Sequence, residues 1–567
     1  MSSTSTIGGY LVERLEQTGL RHVFGIPGDY VLRFYDLLVD SKLEVVGTCS
    51  EAGAGFAADA YARVSGLGAV CVTYCVGGLS VLNAVAGAYA EKSPLVVISG
   101  APGLGEREHS PLLHHKVRDF HTQLQIYEKV TAMAVALEDA RTAPQAIDDC
   151  LRACILHKRP VFIEIPRDMV DAPCAVPGAF EIPHAASDPD VLAECLDEAA
   201  AMLREAERPV ILAGVEIHRF GLQETLVRLV ERTGYPVAST ILGKSVIAEL
   251  HPQYIGVYEG AIGREDVRIA VEDADCVLIL GAFMTDINLG VYTANLEIDR
   301  TINVNSERAT IKRHHFDEVA LRDFIEGLMQ ADLGPRRAQT FESAVSVLGA
   351  TGFEPRDGQP MTVRRFFERL NQFLEDGDVV VADIGDSLFG AADLLIRQRT
   401  DFLSPAYYTS MGFAVPAGIG VQVHDRNSRA IVIVGDGAFQ MTGHELSTAA
   451  RRGLNPIVFV LNNRGYTTER FIHEGPYNDV HEWAYHQMPL LLRSGWGCEV
   501  ATEDQLETAL AQARGNLSSF SIVNVHLDKR DRSNALERLA SRMGERVGRS
   551  GAGSRATAQR APRRTGL

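Results

Sequence analysis

Short runs of buried-type residues alternate with helical patterns along most of the chain, and this alternation limits the possible folds more than any other feature. Among the first hundred residues, the strand patterns AVCVTY and LVVISG are separated by the helical pattern GLSVLNAVAGAYAE. Strands rich in valine and isoleucine that alternate with helices form parallel sheets covered on both faces. The sequence therefore predicts an α/β fold built from doubly wound parallel sheets.

The same alternation occurs in three separate units, and a chain of 567 residues is too long for a single core. The second unit contains PVILAG, YPVAST and DCVLILG, and the third contains AIVIVGDG, IVFVLNN and FSIVNVHL. We predict a first domain over residues 1–180, a second over 190–333, a linker over 334–360 and a third over 361–543. The tail, 544–567, is rich in glycine, serine, alanine and arginine and is predicted to be disordered.

Composition excludes several classes of protein. The formal net charge of -18 argues against a nucleic-acid partner, because phosphate binding requires clustered lysine and arginine. No run of about eighteen apolar residues occurs, so no membrane span is predicted, and the first residues lack the pattern of a secretion signal. The nine cysteines are odd in number and have no metal-type spacing. We therefore predict buried, reduced thiols in a cytoplasmic protein.

The segment GDGAFQMTGHELSTAARRGLNPIVFVLNN, residues 435–463, carries the sharpest chemical signal. Gly435 and Gly437 follow the strand AIVIV and allow the backbone to turn tightly beside a ligand. Asp436 and Asn463 are hard oxygen ligands at the ends of two strands, so a diphosphate with Mg²⁺ is a fitting occupant. The alternative is a plain strand–turn–helix corner in which Asp436 only caps the helix. The closing NN, after one helix and one buried strand, favours the binding site.

This segment resembles the cofactor motif of thiamine-diphosphate-dependent 2-oxo acid decarboxylases, the family of indolepyruvate, phenylpyruvate and pyruvate decarboxylases. The resemblance covers nearly the whole chain and implies three α/β domains: pyrimidine-binding, central and diphosphate-binding. It also implies that Asp436, Asn463 and the backbone carbonyl of Gly465 hold Mg²⁺. The residues that it assigns to the cofactor are Thr73, Val76, Asp386, Ser387, Thr409, Met411, Gly435, Gly437 and Ala438.

By the same resemblance, Glu51 in TCSEAGAGFAADAYAR activates the cofactor. Its carboxylate would hydrogen-bond the pyrimidine ring and favour the tautomer whose exocyclic nitrogen takes a proton from the reacting carbon. Taken alone, a glutamate in a first helical turn could simply interact with the helix dipole. Met411 would be the apolar wedge that bends the cofactor, although it could also serve only as core packing. The Thr409 carbonyl would accept a hydrogen bond from the exocyclic nitrogen.

A group of titratable residues completes the implied catalytic machinery. PGDY contains Asp29, PLLHHK contains His114 and His115, and YTTE contains Glu469. The resemblance places them together above the cofactor, where they would shuttle protons. Two successive histidines on an extended segment point to different sides, so the doublet alone does not establish a pair.

We predict the non-oxidative decarboxylation of a 2-oxo acid to an aldehyde and carbon dioxide, by a homodimer or homotetramer. A carboligase similar to acetohydroxyacid synthase is one alternative, and the histidine doublet, PGDY and YTTE argue against it. A cofactor-binding scaffold without activity is another alternative. The presence of Glu51 and of the closing NN argues against that scaffold.

The substrate pocket is predicted to be wide. The resemblance implies that pyruvate decarboxylases carry bulkier residues where this chain has Leu388 and Thr468. We therefore predict a preference for indolepyruvate or phenylpyruvate, with pyruvate and branched-chain 2-oxo acids as alternatives. Further expected pocket residues are Ile287 and Ile472, with Leu536 and Leu539 at the entrance.

Overall fold

The computed structural model describes residues 4–334, 341–348, 352–397 and 401–539. Three large sheets of six or seven strands and one two-stranded sheet form within these ranges. Helices alternate with the strands of each large sheet, so the predicted class of three α/β units is confirmed. The predicted disordered tail lies outside the described residues, as do 335–340 and 349–351 of the predicted linker.

The first unit is built around a parallel six-stranded sheet. Its strands are β1 (Thr4–Thr6), β2 (His22–Gly25), β3 (Glu44–Gly47), β4 (Gly68–Val72), β5 (Leu95–Ala101), β6 (Met133–Ala136), β7 (Val161–Pro166) and β8 (Pro173–Ala175). Its helices are α1 (Ile7–Gln17), α2 (Leu32–Val39), α3 (Glu51–Ser65), α4 (Val76–Ala90), α5 (Thr122–Tyr127) and α6 (Ala143–His157). The sheet order is β3-β2-β4-β5-β7-β6, while β1 pairs with β8. The chain therefore changes direction between β2 and β4, a place where open α/β sheets bind ligands.

The second unit contains a seven-stranded sheet in the order β11-β10-β9-β12-β13-β14-β15. Its strands are β9 (Pro209–Ala213), β10 (Val237–Ser239), β11 (Tyr254–Val257), β12 (Cys276–Leu280), β13 (Thr301–Val304), β14 (Ala309–Ile311) and β15 (His314–Phe316). Its helices are α7 (Pro189–Glu205), α8 (Glu216–Arg219), α9 (Gln223–Thr233), α10 (Glu265–Glu272), α11 (Leu321–Leu328) and α12 (Ala344–Leu348). Strand β14 runs antiparallel to both of its neighbours, β13 and β15, so the sheet is not purely parallel as predicted. The connections before them are too short for a parallel crossover.

The third unit has a parallel six-stranded sheet. Its strands are β16 (Asp378–Ala382), β17 (Phe402–Leu403), β18 (Arg429–Gly435), β19 (Ile457–Asn462), β20 (Trp496–Val500) and β21 (Ser521–His526). Its helices are α13 (Val363–Phe373), α14 (Asp386–Ala391), α15 (Ala414–His424), α16 (Asp436–Thr442), α17 (Leu446–Arg452), α18 (Thr467–Ile472), α19 (Met488–Leu492) and α20 (Glu503–Gly515), and a short helix covers 534–539. The order β17-β16-β18-β19-β21-β20 changes direction between β16 and β18.

A single apolar core joins the first and third units. Helix α3 packs against α15, with the rings of Phe56 and Phe413 in edge contact. At Gly420 the two backbones approach so closely that a Cβ atom would lie 2.1 Å from the Ala57 carbonyl oxygen. The first and third units of one chain are therefore held in a fixed relation to one another.

All nine cysteines are free thiols, as predicted, and seven of them are buried. Burial raises the pKa of Cys75 to about 11 and that of Cys150 to about 12. Cys49 is exposed, and Cys498 is partly exposed. Among the described residues, no helix combines the length and the apolar character needed to cross a membrane.

Candidate active site

A cavity of about 490 Å³ opens at the carboxyl ends of β16, β18 and β19. Because β16 and β18 flank the point where the strand order reverses, the loops that follow them separate and leave a crevice between them. The residues that line the crevice at or just after the ends of these strands are Gly385, Asp386, Ser387, Gly435, Asp436, Gly437, Ala438, Asn463 and Gly465. The structure therefore brings the predicted metal and diphosphate residues together.

Two side chains whose oxygen atoms could bind a metal ion lie at this end of the cavity. The Asp436 carboxylate is buried and accepts hydrogen bonds from the N–H groups of Gly437 and Gly465, at 2.7 and 3.1 Å. Burial raises the pKa of Asp436 to about 6. The side-chain oxygen of Asn463 is buried without a hydrogen-bond partner among the described residues. A buried carboxylate beside an unpaired amide oxygen fits a Mg²⁺ ion, which binds oxygen ligands.

Gly435, beside these ligand atoms, leaves room for a second group. A Cβ atom at Gly435 would meet nothing within 4 Å, so the space beside it is open. A Cβ atom at Gly437 would lie 2.4 Å from the Tyr466 ring, which excludes a side chain there. The buried hydroxyls of Thr467 and Thr468 line the same cavity and lack partners within the described ranges. These features fit a diphosphate that accepts hydrogen bonds and shares the metal ion.

Asp386 makes a contact that the sequence did not indicate. Its carboxylate is almost fully buried and accepts hydrogen bonds from the N–H and the hydroxyl group of Ser533. Ser533 directly precedes the helix at 534–539, and its hydroxyl also accepts the N–H of Leu536. Asp386 thus lines the cavity and at the same time anchors the start of the last described helix.

The predicted pocket residue Leu388 does not line the cavity. It is fully buried in a core that also contains Phe366 and Ile431, and its neighbour Phe389 lines the cavity instead. Successive residues of a helix point about 100° apart, so α14 turns one of the two side chains inward and the other toward the cavity. In a single chain Leu388 therefore faces the core, and only the rotation of α14 distinguishes it from Phe389, so the role of Leu388 in the substrate pocket stays a prediction.

The remaining walls of the cavity are largely apolar. Phe389, Leu536 and Leu539 belong to one buried cluster with Ile262 of the second unit. Leu539 lines the cavity, whereas Leu536 packs within the cluster. The predicted residues that line the cavity here are Ile287, Thr409, Met411, Thr468, Glu469 and Ile472, and sequence reasoning missed Ile262, Val291 and Phe389.

The first unit brings together a second group of predicted residues. Asp29, His114 and His115 offer side-chain atoms that all lie within 4.8 Å of one another. The His114 Nε2 atom lies 2.7 Å from an Asp29 carboxylate oxygen, and the His114 ring stacks on Tyr30. His115 has a φ of 66°, so the backbone leaves the extended conformation in which successive side chains diverge. Its Nδ1 atom is buried and lacks a partner among the described residues.

Glu51 lies at the start of α3, close to the predicted pyrimidine residues. A Cβ atom at Gly77 would lie 3.7 Å from a Glu51 carboxylate oxygen, and Val76 next to it is 53% exposed. The hydroxyl of Thr73 is buried without a described partner. Glu445 of the third unit, which sequence reasoning missed, accepts the N–H groups of Cys49 and Ser50 at 3.0 Å each. The start of α3 is therefore anchored to the third unit of the same chain.

The two groups of predicted residues occupy different places in a single chain. Glu469 lines the cavity of the third unit, whereas the described lining of that cavity contains no residue of the first unit. One chain therefore separates Glu469 from Asp29, His114 and His115, which were expected to form one cluster. It separates Glu51 from Asp436 in the same way.

Comparison with known proteins defines the class. The chain matches three domain models of thiamine pyrophosphate enzymes: the N-terminal TPP binding domain over residues 5–126, the central domain over 196–331 and the C-terminal TPP binding domain over 383–525. The cavity at the carboxyl ends of β16, β18 and β19 lies in the third of these. The protein is therefore a thiamine-diphosphate-dependent enzyme.

Relatives of similar length narrow the class. The chain is 36% identical to the indole-3-pyruvate decarboxylase of Azospirillum brasilense over 535 residues, which is 93% of this chain and 96% of the relative. It is 32% identical to pyruvate decarboxylase 1 of Pisum sativum over 555 residues, 96% and 94% of the two chains. It is 33% identical to the pyruvate decarboxylase of Aspergillus fumigatus over 551 residues, 94% and 96%. The chain belongs to the thiamine-diphosphate-dependent 2-oxo acid decarboxylase family.

Proposed function

We propose that the protein decarboxylates an aromatic 2-oxo acid, indolepyruvate or phenylpyruvate, to the corresponding aldehyde and carbon dioxide. The apolar wall around Phe389 is the observation that carries this proposal. An aromatic side chain gains roughly 2–3 kcal/mol when such a surface buries it fully. The Azospirillum brasilense relative, an indole-3-pyruvate decarboxylase, supports the same substrate class.

Residues of the cavity, together with Thr73 and Val76 of the first unit, would hold the cofactor. Asp436, Asn463 and the Gly465 carbonyl would hold Mg²⁺, while the Thr409 carbonyl and the Met411 side chain would position the pyrimidine ring. When bound, thiamine diphosphate supplies the electron sink that makes loss of carbon dioxide possible. The residues proposed to contact the rest of the cofactor are Thr73, Val76, Asp386, Ser387, Gly435, Gly437 and Ala438.

The remaining polar residues would move protons. Glu51 would hold a proton at the pyrimidine ring, where a carboxylate can stabilise the reactive tautomer. Asp29, His114, His115 and Glu469 would supply the proton that the product carbon needs after carbon dioxide has left. General acid–base groups of this kind typically contribute about 10²–10⁴ in rate.

We propose a homodimer, or a dimer of dimers, in which the first unit of one protomer covers the third-unit cavity of its partner. The separation of Glu51 from the cavity within one chain supports this arrangement. The exposed apolar side chains of Val76 and Met411, one in each unit, also support it because a second chain would bury both. Each cofactor would then contact Glu51 of one chain and Asp436 of the other.

The domain limits remain as proposed from the sequence. All strands of the three large sheets lie within 1–180, 190–333 and 361–543, which supports these limits. Helix α12 lies inside the proposed linker, 334–360, so this linker includes a short helix. We further propose that the enzyme works in the cytoplasm, a proposal supported by its free cysteines.

A substrate panel tests the proposed reaction. The kcat/KM values of the purified enzyme for phenylpyruvate, indolepyruvate, a branched-chain 2-oxo acid and pyruvate should fall in the order aromatic, branched-chain, pyruvate. Aldehyde and carbon dioxide should form in equal amounts, and Asp436→Ala serves as the control without cofactor. A highest kcat/KM for pyruvate would contradict the aromatic substrate. Acetolactate formed from pyruvate without acetaldehyde would identify a carboligase instead.

A further inference from the structure

The loop that carries Thr409 and Met411 has an unusual backbone. Thr409 has a φ of 59°, and Gly412 has a φ of 87°. Positive φ is expected for glycine, but it is a genuine outlier for a β-branched residue such as threonine. Strained residues of this kind persist only where the surrounding structure holds them, and they cluster at functional sites. The structure must therefore contain groups that fix this loop.

Asp383 holds the loop on the side that follows Met411. It directly follows β16, is fully buried, and its two carboxylate oxygens accept the N–H groups of Gly412 at 3.1 Å and Ala414 at 2.9 Å. The Thr442 hydroxyl donates to the Gly412 carbonyl at 2.6 Å. Both main-chain groups of Gly412 are therefore fixed by side chains from other elements of the third unit.

Asp383 also connects this loop to the diphosphate end of the cavity. Its own N–H donates to the Ile433 carbonyl at 2.9 Å, in the strand that ends at Gly435. Among the described residues no basic side chain pairs with it, and its partners are main-chain N–H groups. Burial raises the pKa of Asp383 to about 6, so the carboxylate is ionised at neutral pH and accepts all of these hydrogen bonds.

We infer that Asp383 is a positioning residue that sets the distance between the loop carrying Thr409 and Met411 and the proposed metal ligand Asp436. Through Gly412 and Ala414 it fixes the Thr409 carbonyl and the Met411 side chain relative to Asp436. The side chain does not line the cavity, so it acts through the loop and not by contact with cofactor or substrate. The inference rests on the roles proposed above for Thr409 and Met411.

Asp383→Asn tests this role because it preserves size but sets an amide NH₂ group against a main-chain N–H group. Binding of thiamine diphosphate with Mg²⁺ to the apo-protein, measured by calorimetry, should change by less than about tenfold, because the diphosphate end is intact. The near-ultraviolet circular dichroism signal of the pyrimidine tautomers should be lost. Exchange of the cofactor's reactive proton with deuterium should slow on the order of 100-fold, as expected for a displacement of about 1 Å.

Asp378→Asn is the matched control, since Asp378 is a buried carboxylate in β16, the strand that Asp383 follows, and pairs with Arg514. It should lower the melting temperature and leave both cofactor signals unchanged. Thr442→Val removes the second contact to Gly412 and should reduce the same two signals to a smaller extent, even if Asp383→Asn folds poorly. Unchanged signals in both Asp383→Asn and Thr442→Val would overturn the inference.

Met411→Gly separates this inference from the proposed function. If the loop positions the cofactor, Met411→Gly should alter the circular dichroism signal. A changed signal in Met411→Gly with unchanged signals in the Asp383 and Thr442 variants would refute only the role of Asp383. Unchanged signals in Met411→Gly as well would contradict the proposed role of the loop, and the inference would fall with it.

Discussion

The third-unit cavity and the first-unit cluster of Asp29, His114 and His115 are built in opposite ways. Asp383, Asp386 and Asp436 are buried, and burial raises the pKa of each to about 6. In the first unit, the side chains of Asp29 and His114 are 43% and 58% exposed. Charged groups interact strongly only where water is excluded. The residues proposed to hold the metal and the diphosphate are therefore enclosed within one chain, whereas Asp29 and His114, proposed to move protons, remain open to solvent in one chain.

The largest effect is expected from Asp436→Ala in the third-unit cavity. Loss of this carboxylate removes a metal ligand, so Mg²⁺-dependent binding of thiamine diphosphate should weaken about 10³-fold or more, equivalent to roughly 4 kcal/mol. Calorimetry measures the binding, and treatment of the wild type with EDTA should reproduce the loss. Asp378→Asn is the control, because its carboxylate is buried outside the cavity. Normal cofactor affinity in Asp436→Ala would remove this residue from the site.

Glu51→Gln, in the first unit, should reduce activity without preventing the cofactor from binding. The glutamine cannot support the reactive tautomer, so kcat should fall by about 10²–10⁴ while the cofactor still binds. Glu44→Gln, at an exposed position of the same unit, should behave as the wild type. An unchanged kcat in Glu51→Gln would exclude the proposed role.

Mixing the two inactive variants tests whether Glu51 and Asp436 of one site come from different chains. In a dimer that contains one Glu51→Gln chain and one Asp436→Ala chain, one of the two sites has both wild-type residues. Random reassociation of equal amounts should restore about a quarter of the wild-type activity. If each chain formed its own site, the mixture would stay inactive, and the proposed dimer would be wrong.

His115→Phe should impair proton transfer to the product without affecting cofactor binding. Removal of a general acid–base group should reduce aldehyde formation by about 100-fold and leave the affinity for thiamine diphosphate unchanged. Rapid-quench kinetics and calorimetry measure the two quantities. His109→Phe, an exposed histidine of the same segment, is the control. Equal losses of binding and turnover would show that His115 is structural.

Asp436→Asn should show how much the buried Asp436 carboxylate lowers the free energy of unfolding. A carboxyl with a raised native pKa holds its proton more tightly when folded, so its stabilising contribution is present near pH 4 and is lost as the pH rises through about 6. Relative to the wild type, the metal-free asparagine variant should gain roughly 2–3 kcal/mol above pH 6 and little at pH 4. Melting temperatures in EDTA from pH 4 to 8 measure this difference. A difference independent of pH would contradict the burial argument.

The smallest effect is expected from narrowing the apolar wall. Phe389→Trp with Thr468→Ile should move the ratio of kcat/KM values toward pyruvate by about 10–100-fold, because pocket contacts of this kind are worth about 1–3 kcal/mol. Steady-state kinetics with pyruvate and phenylpyruvate measure the ratio. Leu388→Met is the control, since it conserves volume inside the core. An unchanged ratio in the double variant would mean that these two residues do not set the pocket.

Local patterns were sufficient to predict which residues come together at one end of the cavity, the end proposed to hold the metal and the diphosphate. Buried strands locate Asp436 and Asn463 at strand ends, and parallel pairing then brings those ends together. The same logic could not separate Leu388 from Phe389, because their difference depends on how α14 is rotated. Ile262 and Val291 come from loops of another unit, and the sequence contains no local signal for such distant contacts. Asp383 was missed because its partners are main-chain N–H groups, and Glu445 was missed because its partners Cys49 and Ser50 lie in another unit.

The contact between Asp386 and Ser533 has a consequence for how substrate preference can evolve. The helix at 534–539 contributes Leu539 to the cavity, yet it belongs to no sheet and its start is held by Asp386. Substitutions in the sheets disturb the large cores of the three units, whereas this helix packs in a small separate cluster with Ile262 and Phe389. Mutational drift in these last described residues can therefore remodel one wall of the cavity while the catalytic groups and the fold stay unchanged.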